Sequence, residues 1–345
     1  MITTILDKDG INRLTGAVSR GELEFYQFYN FEFGPDEYNY QQYMTQFTEG
    51  DPSQKILNKS YYDIEIDFIK EVFPDPEKAA FPVNAIAVYN NIRNEAVIFA
   101  LPGGCNIKDQ DILDKGVNDL YNEICEENET YSIKDIHIKV RTFEKEINLL
   151  KAFFEYIREL NTLFLIGFNS SLFDDPYVVN RGVNLIGEDI YNDISEFGEV
   201  SKFGSKVYSW PDYILLDILK LYKPVDSGGS GFGKSLPNFK LDTVAEYELG
   251  IKKLDLEDMT WEYKNNIVRF LTYNLLDTLL TFKIDEKLRF LELQWTLCKL
   301  NDAPISSAIN GRSIMYKIRN NLIYTRRNQI IRSKLFNREI MYPLE

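Results

Sequence analysis

At 345 residues with a formal net charge of −14, the chain is long enough for one large domain or two modest ones and too acidic to coat nucleic acid by charge alone. Its apolar fraction of 44% and aromatic fraction of 14% are those of a globular core, and no apolar run approaches the ~20 residues of a membrane span. Three scattered cysteines, Cys105, Cys125 and Cys298, form neither a disulfide framework nor a zinc pattern. With no basic-then-apolar leader in residues 1–7, the expected setting is a reducing intracellular compartment, the cytoplasm of a cell or of a viral host.

Residues 1–58 carry many aromatics without a sustained period, Phe25, Tyr26, Phe28, Tyr29, Phe31 and Phe33 among them, and read as a small α+β segment whose rings are packing material. The run Tyr61-Tyr62-Asp63-Ile64-Glu65-Ile66-Asp67-Phe68 alternates with the period of a strand. Tyr62, Ile64, Ile66 and Phe68 face a core, and Asp63, Glu65 and Asp67 face the other way. Three carboxylates on one strand face repel one another, and desolvating them costs several kcal/mol apiece unless positive charge sits among them. A solvated outer face tolerates such a pattern; divalent metal ions are the economical counter-charge.

Phe73-Pro74-Asp75-Pro76 is a loop fixed by its prolines. Strands follow at 84–89 and 95–101, joined by the turn-forming residues 90–94. Residues 103–130 are polar and mixed and read as an insertion, and Ile136, Ile138 and Val140 alternate as another strand. Phe143, Ile147, Leu150, Phe153, Phe154, Ile157 and Leu160 recur at helical spacing. An apolar strand at 163–168 runs into Asn169, Phe173 and Asp174, with Pro176 suited to the first turn of a helix over about 176–186. A short hairpin at 195–210 and a buried strand at 213–218 come next. The glycine-rich run at 226–233 lacks the Lys-Ser/Thr ending of a phosphate loop and reads as a linker. Residues 240–249 form a short helix, and residues 262 to about 291 a long one.

After Asn310, eight basic residues face only Glu339 and Glu345, which suits either a solvated helix face or contact with phosphates or an acidic partner. The order of elements, three antiparallel strands and then alternating helix and strand, predicts a mixed sheet covered by helices.

Asp174 follows the end of a strand, where an α/β sheet places its chemistry. Tyr273 and Asp277 are four apart and share one helical face, with Phe270, Leu271 and Leu275 on the other side. Brought together, Asp63, Glu65, Asp174 and Asp277 offer oxygen ligands suited to Mg²⁺ or Mn²⁺ and unsuited to soft metals.

Asp-x-Glu at 63–65, Asn-x-x-x-Phe-Asp at 169–174 and Tyr-x-x-x-Asp at 273–277 are, in this order, the three motifs of DEDD proofreading exonucleases of the tyrosine class. Together with Phe73-Pro74-Asp75-Pro76, Gly167-Phe168-Asn169 and the run at 236–245, they make the sequence similar to the N-terminal and exonuclease regions of family B DNA polymerases, especially those of tailed bacteriophages. The similarity covers roughly residues 58–310. It implies a ribonuclease H-like α/β domain, a mixed five- to six-stranded sheet flanked by helices, with a small α+β N-terminal domain. The implied division is an N-terminal segment at 1–58, an exonuclease domain at 59–291, and a basic helical segment at 292–345 that folds back on the first.

The same resemblance implies removal of nucleotides one at a time from a single-stranded 3′ end of DNA, using two Mg²⁺ or Mn²⁺ ions ~3.5–4 Å apart that activate water and stabilise the leaving oxygen. By motif position Asp63 bridges both ions, Glu65 and Asp277 complete the ion that binds the nucleophile, Asp174 holds the second, and Tyr273 orients the water. Asn169, Phe73 and Phe173 are the implied DNA contacts, Phe73 by stacking on an unpaired base, worth ~1–3 kcal/mol. The sister class places a histidine one position before this tyrosine. Position 272 is threonine and the sole histidine, His137, lies in a strand, so a histidine mechanism is excluded by inventory.

The palm motifs of a family B polymerase do not occur in the chain, so polymerisation is expected to require a further palm, fingers and thumb chain, no membrane being involved. The hairpin at about 196–210 is shorter than in the phage enzymes. Two other readings follow from the same residues: a free-standing exonuclease that trims DNA or RNA ends, and a non-catalytic replisome scaffold, which the presence of all four carboxylates and Tyr273 disfavours.

Overall fold

The computed structural model describes residues 57–67, 74–196, 198–203, 207–210, 212–224, 233–251, 254 and 258–300. The chain divides into two compact units, Ile56–Arg289 and the remainder, Met1–Lys55 with Phe290–Glu345. Of the second unit the described part is the helix Phe290–Leu300, so the expectations for 1–58 and for the basic end beyond residue 300 fall outside the described residues. The same holds for Phe68, Phe73 and most of the glycine-rich run.

The larger unit is built on a six-stranded sheet. Its strands are β1 (Lys59–Ile66), β2 (Val83–Asn90), β3 (Glu95–Ala100), β4 (His137–Thr142), β5 (Phe164–Gly167) and, after the separate two-stranded ribbon β6 (Ser201–Phe203) and β7 (Val207–Ser209), β8 (Ile214–Asp217). The order across the sheet is β4-β3-β2-β1-β5-β8. β1, β2 and β3 pair antiparallel, while β4, β5 and β8 each join parallel to their neighbours. This is the mixed sheet expected from the sequence. β2, Val-Asn-Ala-Ile-Ala-Val-Tyr-Asn, is buried at every position, as a strand covered on both faces must be.

The helices are α1 (Gln110–Glu127), α2 (Glu146–Glu159), α3 (Asp174–Ile186), α4 (Tyr191–Ile194), α5 (Ile218–Tyr222), α6 (Leu241–Leu249), α7 (Met259–Asn265), α8 (Ile267–Leu288) and α9 (Phe290–Leu300). α2 and α3 cover one face of the sheet. There Tyr62, Ile64 and Ile66 meet Leu149, Leu150, Phe153, Phe154 and Ile157 in one apolar cluster. α8 crosses the other face over β1 and β2, with α1 beside it.

Two sequence expectations are corrected. Residues 103–130, read only as a polar, mixed insertion, contain an eighteen-residue helix that the sequence reading did not assign. Asp109 caps it, accepting from the Ile112 N–H at 3.1 Å. Leu113, Val117 and Tyr121 alone are buried, so the apolar stripe is one residue per turn and too narrow to stand out. Gly116 lets α8 approach, because a Cβ there would lie 2.9 Å from Val268. The long helix expected from residue 262 is likewise two helices. It breaks at Asn266 (φ −144°, ψ 55°), a residue type that favours helix ends over interiors. The helical run then ends at Arg289 in the left-handed region (φ 52°).

Candidate active site

β1 and β5 run side by side only as far as Tyr61 and Ile166. Beyond that point the two strands part, and the crevice outside their carboxyl ends is where an α/β sheet puts its chemistry. The chain turns sharply as it leaves β5. A Cβ on Gly167 would sit 2.4 Å from Ser170 Cβ, so only glycine admits the single 3-10 turn Ser170–Leu172 that follows. Asn169 takes a left-handed conformation (φ 65°), which asparagine tolerates better than most residues.

Asp217, buried at the end of β8, holds this turn. Its Oδ1 accepts from the backbone N–H groups of Asn169 and Leu219, both at 2.9 Å, and its Oδ2 from the Ser171 hydroxyl at 2.6 Å. The turn delivers Asp174 to the start of α3, which begins two residues earlier than proline placement suggested. There Asp174 Oδ1 accepts from the Ile64 N–H at 3.3 Å, a β1 donor beyond the paired part of β5.

Asp63, Glu65 and Asp277 come together across β1 and α8: each offers a carboxylate oxygen, and the three oxygens lie within 4.8 Å of one another. Two acids of one strand and a third from a helix more than two hundred residues later thus share one pole of charge. Asp174 lies outside that tight trio but beside it. Its carboxyl is held far above the usual range, first by burial and then by the charges of Asp63 and Asp175. Asp175 is raised to about 7, chiefly by burial, with the Tyr62 hydroxyl donating to it and opposing the shift.

These residues could hold a hard divalent cation. The donors are all carboxylate oxygens. An ion that takes its ligands at ~2.1 Å draws them to within ~3–4 Å of one another, so the trio needs little closing. The elevation of Asp174 by burial and by the neighbouring carboxylates is what a cation would reverse.

The remaining expected residues are placed as follows. Tyr273 is half-buried on α8, one turn before Asp277. Asn169 is half-buried on the turn described above. Phe173 stacks on Tyr177, with ring centroids 5.4 Å apart, and packs against the apolar cluster. Phe73 is outside the described residues, and His137 is exposed on β4.

Four site neighbours escaped the sequence reading. Asp217 and Asp175 carried a signal, since an acid inside an apolar strand or beside a buried acid needs partners. Tyr62 looked like plain core. Asn274 lay unremarked inside the Tyr-x-x-x-Asp motif, although its Nδ2 donates to Asp63 Oδ2 at 2.8 Å.

The mixed sheet, its helical covers and the acidic crevice define a ribonuclease H-like exonuclease fold. Residues 37–244, more than half of the chain, match the exonuclease domain of DNA polymerase family B, and the chain belongs to that family. The matched stretch contains Asp63, Glu65 and Asp174 but stops before Tyr273 and Asp277, which the fold brings in.

Over 249 residues the chain is 26% identical to the DNA-directed DNA polymerase of Escherichia phage RB69, covering 67% of this chain and 26% of that protein. It is 25% identical over 273 residues to the DNA-directed DNA polymerase of Enterobacteria phage T4, covering 74% and 28%. To the DNA polymerase of Autographa californica nuclear polyhedrosis virus it is 30% identical over 183 residues, covering 50% and 18%. The chain therefore spans about a quarter of the length of the phage relatives.

Proposed function

We propose that the protein is a metal-dependent 3′–5′ exonuclease that removes nucleotides from the single-stranded 3′ end of DNA, the proofreading part of a family B replicative polymerase. The convergence of Asp63, Glu65 and Asp277 within 4.8 Å, with Asp174 at their side, carries the reading. Asp63, Glu65, Asp174 and Asp277 would hold two Mg²⁺ or Mn²⁺ ions. When bound, these ions supply the Lewis-acid activation of water and the stabilisation of the leaving 3′ oxygen in an in-line displacement. Tyr273, one helical turn before Asp277, orients the attacking water through its hydroxyl. The Gly167–Asp174 turn, held by Asp217, presents Asn169 to the terminal nucleotide, and Phe73 stacks on an unpaired base. Palm, fingers and thumb elements are supplied by further sequence or by a partner chain.

The direct test is incubation of the protein with 3′-labelled single-stranded DNA and Mg²⁺. Stepwise mononucleotide release is expected, reduced at least ~10²–10³-fold in Asp63→Ala, the scale seen when a group that stabilises developing charge is removed. No release, or equal release by Asp63→Ala, overturns the reading.

A further inference from the structure

Asn274 stands on α8 between Tyr273 and Asp277 and has no exposed surface. One nitrogen makes both of its contacts with Asp63: Nδ2 donates to Asp63 Oδ2 at 2.8 Å and to the Asp63 backbone carbonyl at 3.2 Å. Main chain and carboxylate of the same residue are thereby tied to one donor, which restricts the carboxylate's rotation. The amide oxygen of Asn274 is buried and finds no hydrogen-bond partner among the described residues.

A half-satisfied buried amide lowers stability, whereas an apolar side chain of the same shape would leave no polar atom orphaned. Docking of α8 on β1 has another anchor about three turns further along. There Asp285 Oδ2 accepts from Lys59 Nζ at 2.8 Å and from the Tyr61 hydroxyl at 2.5 Å. Asn274 is therefore not required to attach the helix, and its amide is aimed at one acid alone.

We propose that Asn274 is a positioning residue for the metal centre: it holds Asp63 in the orientation from which that carboxylate serves a divalent cation. This rests on the metal-dependent reading above. Partners that orient a metal ligand in this way are typically worth 10–100-fold in metal affinity or activity. Asn274 acts through Asp63, so its loss is felt as weaker metal binding, and excess metal restores much of the rate. A disturbance of neighbouring Tyr273 would instead lower the rate at saturating metal.

The test compares the unmodified protein, Asn274→Leu, Asn274→Ser and Asp63→Ala in titrations with Mn²⁺ and with Mg²⁺. Two quantities are read: the metal-induced rise in Tm, which needs no substrate, and single-turnover nucleotide release at each metal concentration. In Asn274→Leu the half-saturating concentration is expected to rise roughly 10–100-fold, with a rate at saturating metal near that of the unmodified protein. Should the leucine variant fail to fold, Asn274→Ser, which also cannot reach Asp63 with an amide, takes its place. An unchanged midpoint in the folded Asn274 variant, while Asp63→Ala loses the metal response, overturns the proposal alone. So does an unchanged midpoint with a depressed saturating rate. If Asp63→Ala keeps the metal response of the unmodified protein, the metal-dependent reading falls and the proposal with it.

Discussion

On one face of β1, Tyr62, Ile64 and Ile66 meet the rings and branched chains of α2; on the other, Asp63 and Glu65 lie under α8, which buries Asn274, Asp277, Thr278, Thr281 and Asp285. The first interface is made of contacts such as Phe153 against Tyr62, Phe99 and Phe154, at centroid distances of 5.8, 6.2 and 5.1 Å. Apolar burial is strong and has little directional preference, so it holds layers together while leaving their fine register to shape. The second interface adds hydrogen bonds and an ion pair to the packing of Phe282 on Tyr61 and Tyr89, and each polar contact is satisfied at one register of helix against strand. Both faces hold the layers together, but only the second has directional contacts that fix where the acids stand.

Removing charge from the crevice is the largest way to sharpen this contrast. Asp175, where the Tyr62 side turns polar, is raised from its ordinary 3.8 to about 7, and Asp174 is shifted the same way. Between these limits the folded protein keeps a proton that the unfolded chain releases, so stability is full below about pH 4 and falls as pH rises toward 7. For Asp175 the difference corresponds to about 4 kcal/mol at ~1.4 kcal/mol per unit. Urea unfolding of the metal-stripped protein from pH 4.5 to 7.5 should show the decline, and Asp175→Asn should make it shallower, with Asp174 keeping its share. A curve that rises over this range would contradict the shift.

Phe153→Ala attacks the apolar face. It should cost about 3–5 kcal/mol in urea unfolding and leave the metal titration midpoint of the folded protein where it was; a moved midpoint would mean that the two faces are not separable. On the polar face, Asp285→Leu removes a buried carboxylate partner of the Lys59 ammonium and should cost up to about 3–5 kcal/mol. Lys59→Met combined with Asp285→Leu should recover most of that loss, short of the bond to the Tyr61 hydroxyl. If the double variant is no more stable than the single one, the pair is not what holds α8 there. The smallest effect is expected of Thr278→Val. It removes a hydroxyl that donates to the Asn274 carbonyl at 3.1 Å and should change stability by about 1 kcal/mol or less, with the metal response unaltered.

Much of the frame was legible in the chain. β1, β4 and the helix α2 follow from period-two and helical spacing, because each has one apolar side, and β2 and β3 from the turn-forming residues that join them. Helix α1 did not, since it buries a single residue per turn and its other positions read as solvent-facing. Neither did the break at Asn266, which depends on how α7 and α8 seat separately. Asp63, Glu65, Asp174 and Asp277 could be named as a set from motif order, and Asp217 and Asn274 could not, because their roles exist only through partners 46 or more residues away.

By itself the sequence determined which segments alternate, which acids stand at strand ends and on a helix, and to which family they belong, since those are properties of neighbours along the chain. Only the tertiary structure decided that Asp63, Glu65 and Asp277 converge, that Asp174 stands beside them under strain of charge, and that one amide from α8 grips Asp63. Distances between residues so far apart in the chain are set by how helices settle on the sheet, and no local pattern encodes them.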